Sequence, residues 1–336
     1  MRLYELSGNG LEALRLVERP SPRPGPGEVL VRMRAATLNY RDLMIATGRY
    51  GRGPLKRPLV PLSDGAGVVT ALGPGVRGLS AGDRVAGSFF QRWVDGPYHP
   101  EKGQSALGGA MDGVLAEEVL LHEGGAVKVP QAMSFEEAAA FPCAAVTAWV
   151  GLVVNGGLRA GETVLALGTG GVSIFALQIG KLFGARVVLT SSRDDKLARG
   201  RAIGADETLN YRTTPDWGER AHALTGGRGV DHVLEVGGAK TLPQSLAALR
   251  EGGHLSLVGL LSGARADPDA AAKNGRGIRV DSIYVGSAHH LEEVLGAFTR
   301  AKVRPVVDRV FPFEEVPLAY RCLERGEHVG KIAIRI

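Results

Sequence analysis

Cysteine is scarce in this chain. The 336 residues include only Cys143 and Cys322, too few for a disulfide framework or a four-cysteine metal lobe and in keeping with a reducing compartment. The N-terminal MRLYEL lacks the apolar stretch of a secretory leader, and no uninterrupted apolar run reaches spanning length. The expectation is a soluble, cytoplasmic protein with no membrane partner. A block of like charge is missing too. The formal net charge is +5 with scattered arginines, which argues against nucleic acid as a partner and for weak steering of anionic cofactors or substrates. Turn formers, by contrast, are abundant. There are 48 glycines and 18 prolines beside a hydrophobic content of 44%, the composition of a turn-rich globular chain with room for two cores.

The first third is dense in turns. Residues 20–27, PSPRPGPG, form a stiff segment before a strand predicted at Glu28–Arg34, and glycines at 65, 67, 73, 75 and 82 separate short β-type segments. That pattern predicts a compact β barrel or sandwich. At Ser134 the pattern changes: Ser134 and Glu137 read as a capping box on a helix that opens at Phe135. Strands and helices then alternate to about Ser287, the mark of a parallel sheet. Strands are predicted at Val230–Val236, His254–Val258 and Val280–Val285. The tail adds helices at Leu291–Thr299 and Glu315–Arg325, the segment Val303–Phe313 and a closing strand, Gly330–Ile336.

The most informative stretch is TVLALGTGGVS, from Thr163 to Ser173. It reads as a buried strand, a glycine turn through Gly168, Gly170 and Gly171, and a helix start at Val172. An apolar helical run follows to Phe183 and stops at Gly184, and a β-branched strand begins at Arg186. Strand, glycine turn, helix and strand together make a seat for a dinucleotide pyrophosphate, because glycine admits close approach and helix N-terminal N–H groups favour anions.

In such a unit an acid ending the second strand binds the ribose hydroxyls of NAD. Here the strand ends in Thr190, Ser191, Ser192 and Arg193, and the first acid is Asp194. Small hydroxyls leave room for a 2′-phosphate, and Arg193 and Lys196 offer charge to it. Tyr211 falls near the adenine-ribose end. NADP is therefore expected over NAD. Ligands also sit at the carboxyl ends of other parallel strands, which singles out Val236, Gly237, Gly259, Leu260 and Leu261, together with Tyr284 and Val285.

Several phrases carry a family resemblance: Asn39 to Asp42 (NYRD), Pro61 to Gly67 (PLSDGAG), Gly82 to Val85 (GDRV), Pro142 to Trp149 (PCAAVTAW) and Gly168 to Ser173. Over nearly its whole length the chain resembles the medium-chain dehydrogenase/reductase superfamily, most of all its zinc-free quinone oxidoreductase branch and bacterial relatives labelled alcohol dehydrogenases. The resemblance implies an α/β fold: a GroES-like β-rich catalytic domain over 1–124 and 290–336, and a Rossmann doubly wound parallel sheet over 125–289. It also implies a homodimer paired through the last strand of that sheet. Where zinc-dependent members carry catalytic ligands, this chain has Asn39, Ser63 and Cys143, with Asp64 adjacent. One thiol cannot make a site that needs about three protein ligands, so no zinc is expected, and Phe89 to Gly113 stands in place of the four-cysteine lobe.

Zinc is this superfamily's usual means of acidifying an alcohol. Hydride delivery to a quinone or α,β-unsaturated carbonyl needs only orientation, hydrogen-bond donors near the forming oxyanion and a proton. By resemblance, Asn39 and Thr147 lie beside the nicotinamide and Lys331 reaches the cofactor. Tyr40 or Tyr50 would donate to the oxyanion, and Asp42 holds its loop. His289 and His290 read as surface. The expected function is an NADPH-dependent, zinc-independent oxidoreductase with a small-molecule substrate. The alternatives are an alcohol/ketone dehydrogenase, an enoyl-thioester reductase, or a non-catalytic dinucleotide- or RNA-binding protein.

Overall fold

Val29, Val31, Met33 and Ala35 are buried on one strand, β3 (Glu28–Thr37), because side chains of a strand alternate between its faces. The computed structural model describes residues 1–50, 58–259 and 275–336. They divide into two units, Met1–Val146 with Gly286–Ile336, and Thr147–Val285.

In the first unit β1 (Arg2–Leu6) and β2 (Leu14–Glu18) form an antiparallel pair. The main sheet is built on β3, which pairs along one edge with β4 (Asp64–Leu72). Next come β5 (Arg84–Gly87) and, after β6 (Glu118–His122) in the chain, β7 (Ala126–Lys128). The other edge of β3 is shared. β6 pairs with Glu28–Arg32, while the C-terminal strand pairs with Ala35–Thr37. This is the expected GroES-like domain. The helix capped by Ser134 packs against β3 and β4, with the capping box formed in both directions at 2.8 and 3.1 Å.

The expected domain junctions after 124 and before 290 differ from the division at 146/147 and 285/286. β7 pairs with β5, and the helix at Phe135 packs on β3 and β4, so residues 125–146 go with the first unit. That helix also continues to Asn155. It absorbs Pro142, which lacks an N–H, in a wide i→i+5 turn at Phe141–Ala145 and repeats the device at Val150–Asn155. It is 21 residues long, and its most apolar 18-residue window has a mean hydropathy of 1.6, long and apolar enough to cross a membrane by length and composition; 78% of that window is buried inside the protein, as in a core helix.

The second unit is a six-stranded parallel sheet. Its strands are β8 (Thr163–Ala166), β9 (Arg186–Ser191), β10 (Glu207–Asn210), β11 (Val230–Glu235), β12 (Leu249–Leu257) and β13 (Arg279–Ser282). Their spatial order is β10-β9-β8-β11-β12-β13. Renumbered within the sheet this is 3-2-1-4-5-6, the Rossmann order, which places a crevice at the carboxyl ends of β8 and β11. β13 ends at Ser282, so Tyr284 and Val285 lie beyond the strand expected to contain them. Two strands return to the first unit: β14 (Val307–Pro312) and β15 (Lys331–Arg335), parallel to each other, with β15 against β3.

Candidate functional site

The second unit supplies a seat made of backbone. After β8 the chain turns at Gly168 with φ 78°, a left-handed conformation natural to glycine. The helix Gly171–Leu182 then opens on Gly170 with no side-chain cap, so its first N–H groups face outward. A Cβ added at Gly168 or Gly170 would meet nothing within 4 Å. The turn is anchored from both sides: Gly168 N donates to Thr190 Oγ1 at 3.2 Å, and Ser173 Oγ donates to Leu167 O at 2.5 Å. Gly171 and Val172, the first two helical residues, are half-buried. An uncapped, open helix N-terminus fits a pyrophosphate.

At the end of β9, Ser191 is buried and Ser192 half-buried. Tyr211 is 41% exposed, and its N donates to Ser191 O at 3.0 Å, which places it beside the strand end. Lys196 is buried on the first turn of the helix Asp194–Ile203. Arg193 grips Asp195 with two bonds, of 2.7 and 2.9 Å. Both groups are about half exposed, and such surface pairs contribute under about 1 kcal/mol. Asp194 accepts from Asn210 Nδ2 at 2.7 Å.

Beyond β11, Val236 and Gly237 are fixed by a group that sequence reasoning missed. Glu235 is fully buried, and its carboxylate accepts from Gly237 N, Gly238 N, Thr241 Oγ1 and Ser245 Oγ. The only signal was an acid ending an apolar strand before two glycines. Gly259 presses on the same loop: a Cβ there would stand 1.8 Å from Val236 O. Leu260 and Leu261 lie outside the described residues. Tyr284 is 45% exposed, and Val285 holds φ 58°, rare for a β-branched residue.

The first unit supplies a cluster made of side chains. Leu62, fully buried, is held at φ 69° by Val114 N on Leu62 O at 2.9 Å and Leu115 N on Pro61 O at 3.2 Å. Gly113 makes this approach possible, since a Cβ there would lie 2.0 Å from Leu62 O. Strain held by such an over-determined frame belongs to functional sites, and here it delivers Ser63 and Asp64. Asp64 accepts from Ser63 Oγ at 2.7 Å and from Cys143 N at 3.1 Å. Asn39 Nδ2 approaches Ser63 Oγ at 3.4 Å. The Lys331 ammonium, 2% exposed, donates to Asn39 Oδ1 at 2.6 Å and approaches Asp64 Oδ2 at 3.4 Å. Burial and the Asp64 charge push the Cys143 thiol well above its ordinary range.

Asp42 is buried and accepts from Asn39 N at 2.7 Å, in the loop-holding role expected of it. Burial pushes its carboxyl up to about 6 against the pull of Arg41. Tyr40 and Tyr50 are 36% and 43% exposed, and the Arg41 guanidinium lies 5.4 Å from the centre of the Tyr50 ring. Thr147 is buried on the long helix, four residues after Cys143. His290 is half-buried, packing against Trp93 and accepting from Ser287 N at 3.1 Å, so it is not the surface residue expected; His289 is exposed. Phe89, Phe90, Trp93 and Tyr98 pack ring against ring at 4.6 to 5.9 Å. No group of three metal-ligating side chains occurs among the described residues.

Residues 25–131 match the alcohol dehydrogenase GroES-like domain family, and residues 171–300 the zinc-binding dehydrogenase family. A zinc-type alcohol dehydrogenase-like protein of Schizosaccharomyces pombe is 42% identical over 335 residues, 98% of this chain and 96% of its own. Among solved structures, an NAD-dependent alcohol dehydrogenase is 36% identical with a TM-score of 0.89, both chains covered at 100%. A mycobacterial protein complexed with NADPH is 27% identical with a TM-score of 0.83 at the same coverage. The chain belongs to the medium-chain dehydrogenase/reductase superfamily and is an NAD(P)-dependent, alcohol dehydrogenase-like oxidoreductase.

Proposed function

We propose that this oxidoreductase uses NADPH, works without zinc and delivers hydride to a quinone or an α,β-unsaturated carbonyl. The observation that carries the reading is the Lys331 ammonium bonded to Asn39 within the Ser63, Asp64 and Cys143 cluster. That donor set does not fit a catalytic zinc. Asn39 and Ser63 are not ordinary zinc ligands, Cys143 is a single thiol, and a cation already faces Asn39 and Asp64. Without a Lewis acid, conjugated acceptors are the easier substrates, because they spread the incoming charge.

Gly168, Gly170 and the helix behind them would hold the pyrophosphate, with Ser191, Ser192, Lys196 and Tyr211 at the adenosine end. NADPH is favoured by the absence of an acid at the end of β9. A reduced nicotinamide supplies the hydride when bound. The chain's own part is to orient the acceptor, offer donors to its oxygen from Asn39, Tyr40 or Tyr50, and keep the cluster's charges balanced. The alcohol dehydrogenase reading draws on the names of the relatives. NADPH oxidation against a panel of quinones and enones, beside NADP⁺ reduction with alcohols, separates the two: we expect the first activity and not the second, and activity with alcohols alone overturns the proposal.

We extend the proposal to a cytoplasmic homodimer. Cys143 and Cys322 are free thiols, and β13 is the outer strand of its sheet among the described residues. Sedimentation of the purified protein as a monomer would remove the dimer from the proposal.

A further inference from the structure

One strand of the first unit ends and two begin at one place, at Thr37, Asp64 and Lys331, and what they assemble there is a carboxamide that cannot turn over. β15 pairs with β3 through Ala333 and Thr37, and Leu38 N donates to Ile332 O at 3.1 Å, so Lys331 arrives beside Asn39. β4 pairs with β3 through Asp64 and Thr37, which brings the carboxylate to the same end. An ammonium has donors only. The atom of Asn39 facing Lys331 at 2.6 Å is therefore the oxygen, and Nδ2 points the other way. Ser63 Oγ, at 3.4 Å from Nδ2, gives its own hydrogen to Asp64 and offers Asn39 only a lone pair. Both neighbours thus enforce one orientation. An amide whose oxygen accepts from a cation is also polarised, which strengthens its N–H donors.

We propose that Lys331 is a positioning residue: by holding Asn39 Oδ1 it presents Asn39 Nδ2 as a hydrogen-bond donor to the carbonyl oxygen of the acceptor. This rests on the reading that the acceptor is a quinone or enone. In the step it assists, a C–H bond forms at the acceptor (for a quinone, an O–H or C–H bond) with the hydride released by the reduced nicotinamide. The acceptor's π electrons move onto its carbonyl oxygen, and a proton from water then neutralises that oxygen. Two electrons would pass from the bound reduced nicotinamide to the acceptor. Lys331 does not touch the acceptor; it acts through Asn39.

The test uses three variants of the full chain. Asn39→Asp keeps an oxygen toward Lys331 and removes both N–H groups. Lys331→Arg keeps the cation. Lys331→Met with Asp64→Asn removes both charges together, so no buried charge is left alone. The readouts are kcat and KM for a small quinone, the NADPH Kd by fluorescence titration, and the Asn39 side-chain amide resonance in ¹⁵N-asparagine-labelled protein, identified by its loss in Asn39→Asp. We expect Asn39→Asp to lower kcat on the order of 100-fold and the double variant about tenfold, with quinone KM and NADPH Kd changed less than about threefold. Lys331→Arg should recover most of the rate, and the double variant should shift the Asn39 resonance. An unshifted resonance in the folded double variant overturns the claim that Lys331 holds the amide. A shifted resonance with kcat intact overturns the claim that the orientation is used. A wild-type protein that reduces no quinone or enone refutes the reaction reading instead, and the resonance still decides whether Lys331 holds Asn39.

Discussion

The two halves of the candidate machinery are made of different materials. The dinucleotide seat is backbone: a left-handed glycine and an uncapped helix start, all between Thr163 and Leu182. The cluster around Asp64 is side chain, assembled from positions 39, 63, 64, 143 and 331. A backbone seat carries no titratable group and breaks when bulk is added. A side-chain cluster holds charge in a buried place and breaks when one partner is left alone.

The sharpest contrast is therefore in stability. Asp64→Ala strands the Lys331 ammonium and should cost about 3–5 kcal/mol, read as a lowered urea midpoint. Lys331→Met with Asp64→Asn should recover most of that loss. Equal destabilisation by both would make the pair's charge irrelevant.

Acidification distinguishes the units next. In the first, the Asp42 carboxyl titrates near 6, raised by burial; the folded protein binds a proton that the unfolded chain has released, so this group lowers stability as pH rises from about 4 to 6. In the second, burial holds His254 down at about 4, beside His232 at 3.4 Å and Asp281 at 2.9 Å. There the unfolded chain binds the extra proton, so stability falls as pH drops from about 6.5 toward 4. Each contribution is on the order of 3 kcal/mol, and they oppose. Wild-type stability should change little across this window, whereas Asp42→Asn should lose stability on acidification and His254→Gln should gain it. Parallel curves for all three would contradict the assignment.

The seat is tested by bulk. Gly170→Val adds atoms where nothing lies within 4 Å, so the urea midpoint should hold while the NADPH Kd rises about 100-fold, near 3 kcal/mol. An unchanged Kd would place the cofactor elsewhere. The smallest effect is in cofactor choice: Ser191→Asp supplies the missing acid at the end of β9 and should shift preference toward NAD about tenfold. No shift would mean that the strand end does not read the ribose.

The same division explains what was legible in the sequence. The seat lies in one contiguous run, so the spacing from Thr163 to Gly184 defined strand, turn and helix without tertiary information. The Ser134 and Glu137 cap is equally local. Lys331 was not legible in this way, because only the pairing of β15 with β3 brings it to Asn39, and a lysine near a C-terminus looks like a solvated charge. The continuation of the helix past Pro142 was hidden by a residue that normally ends helices. The early end of β13 was hidden by YV, which reads as strand although Val285 sits at positive φ. The gathering of Asn39, Ser63 and Cys143 followed from family resemblance alone, and Asp64, which contacts Ser63, Cys143 and Lys331 directly, was noticed only as an adjacent acid.

The central claim is hydride transfer from NADPH at a site whose resident cation is Lys331 and not a metal. Metal content and quinone turnover measured on the same sample of chelator-treated protein test it most directly. We expect substoichiometric zinc with undiminished NADPH oxidation; one zinc per chain, with activity lost on its removal and restored by its return, would refute the zinc-free proposal.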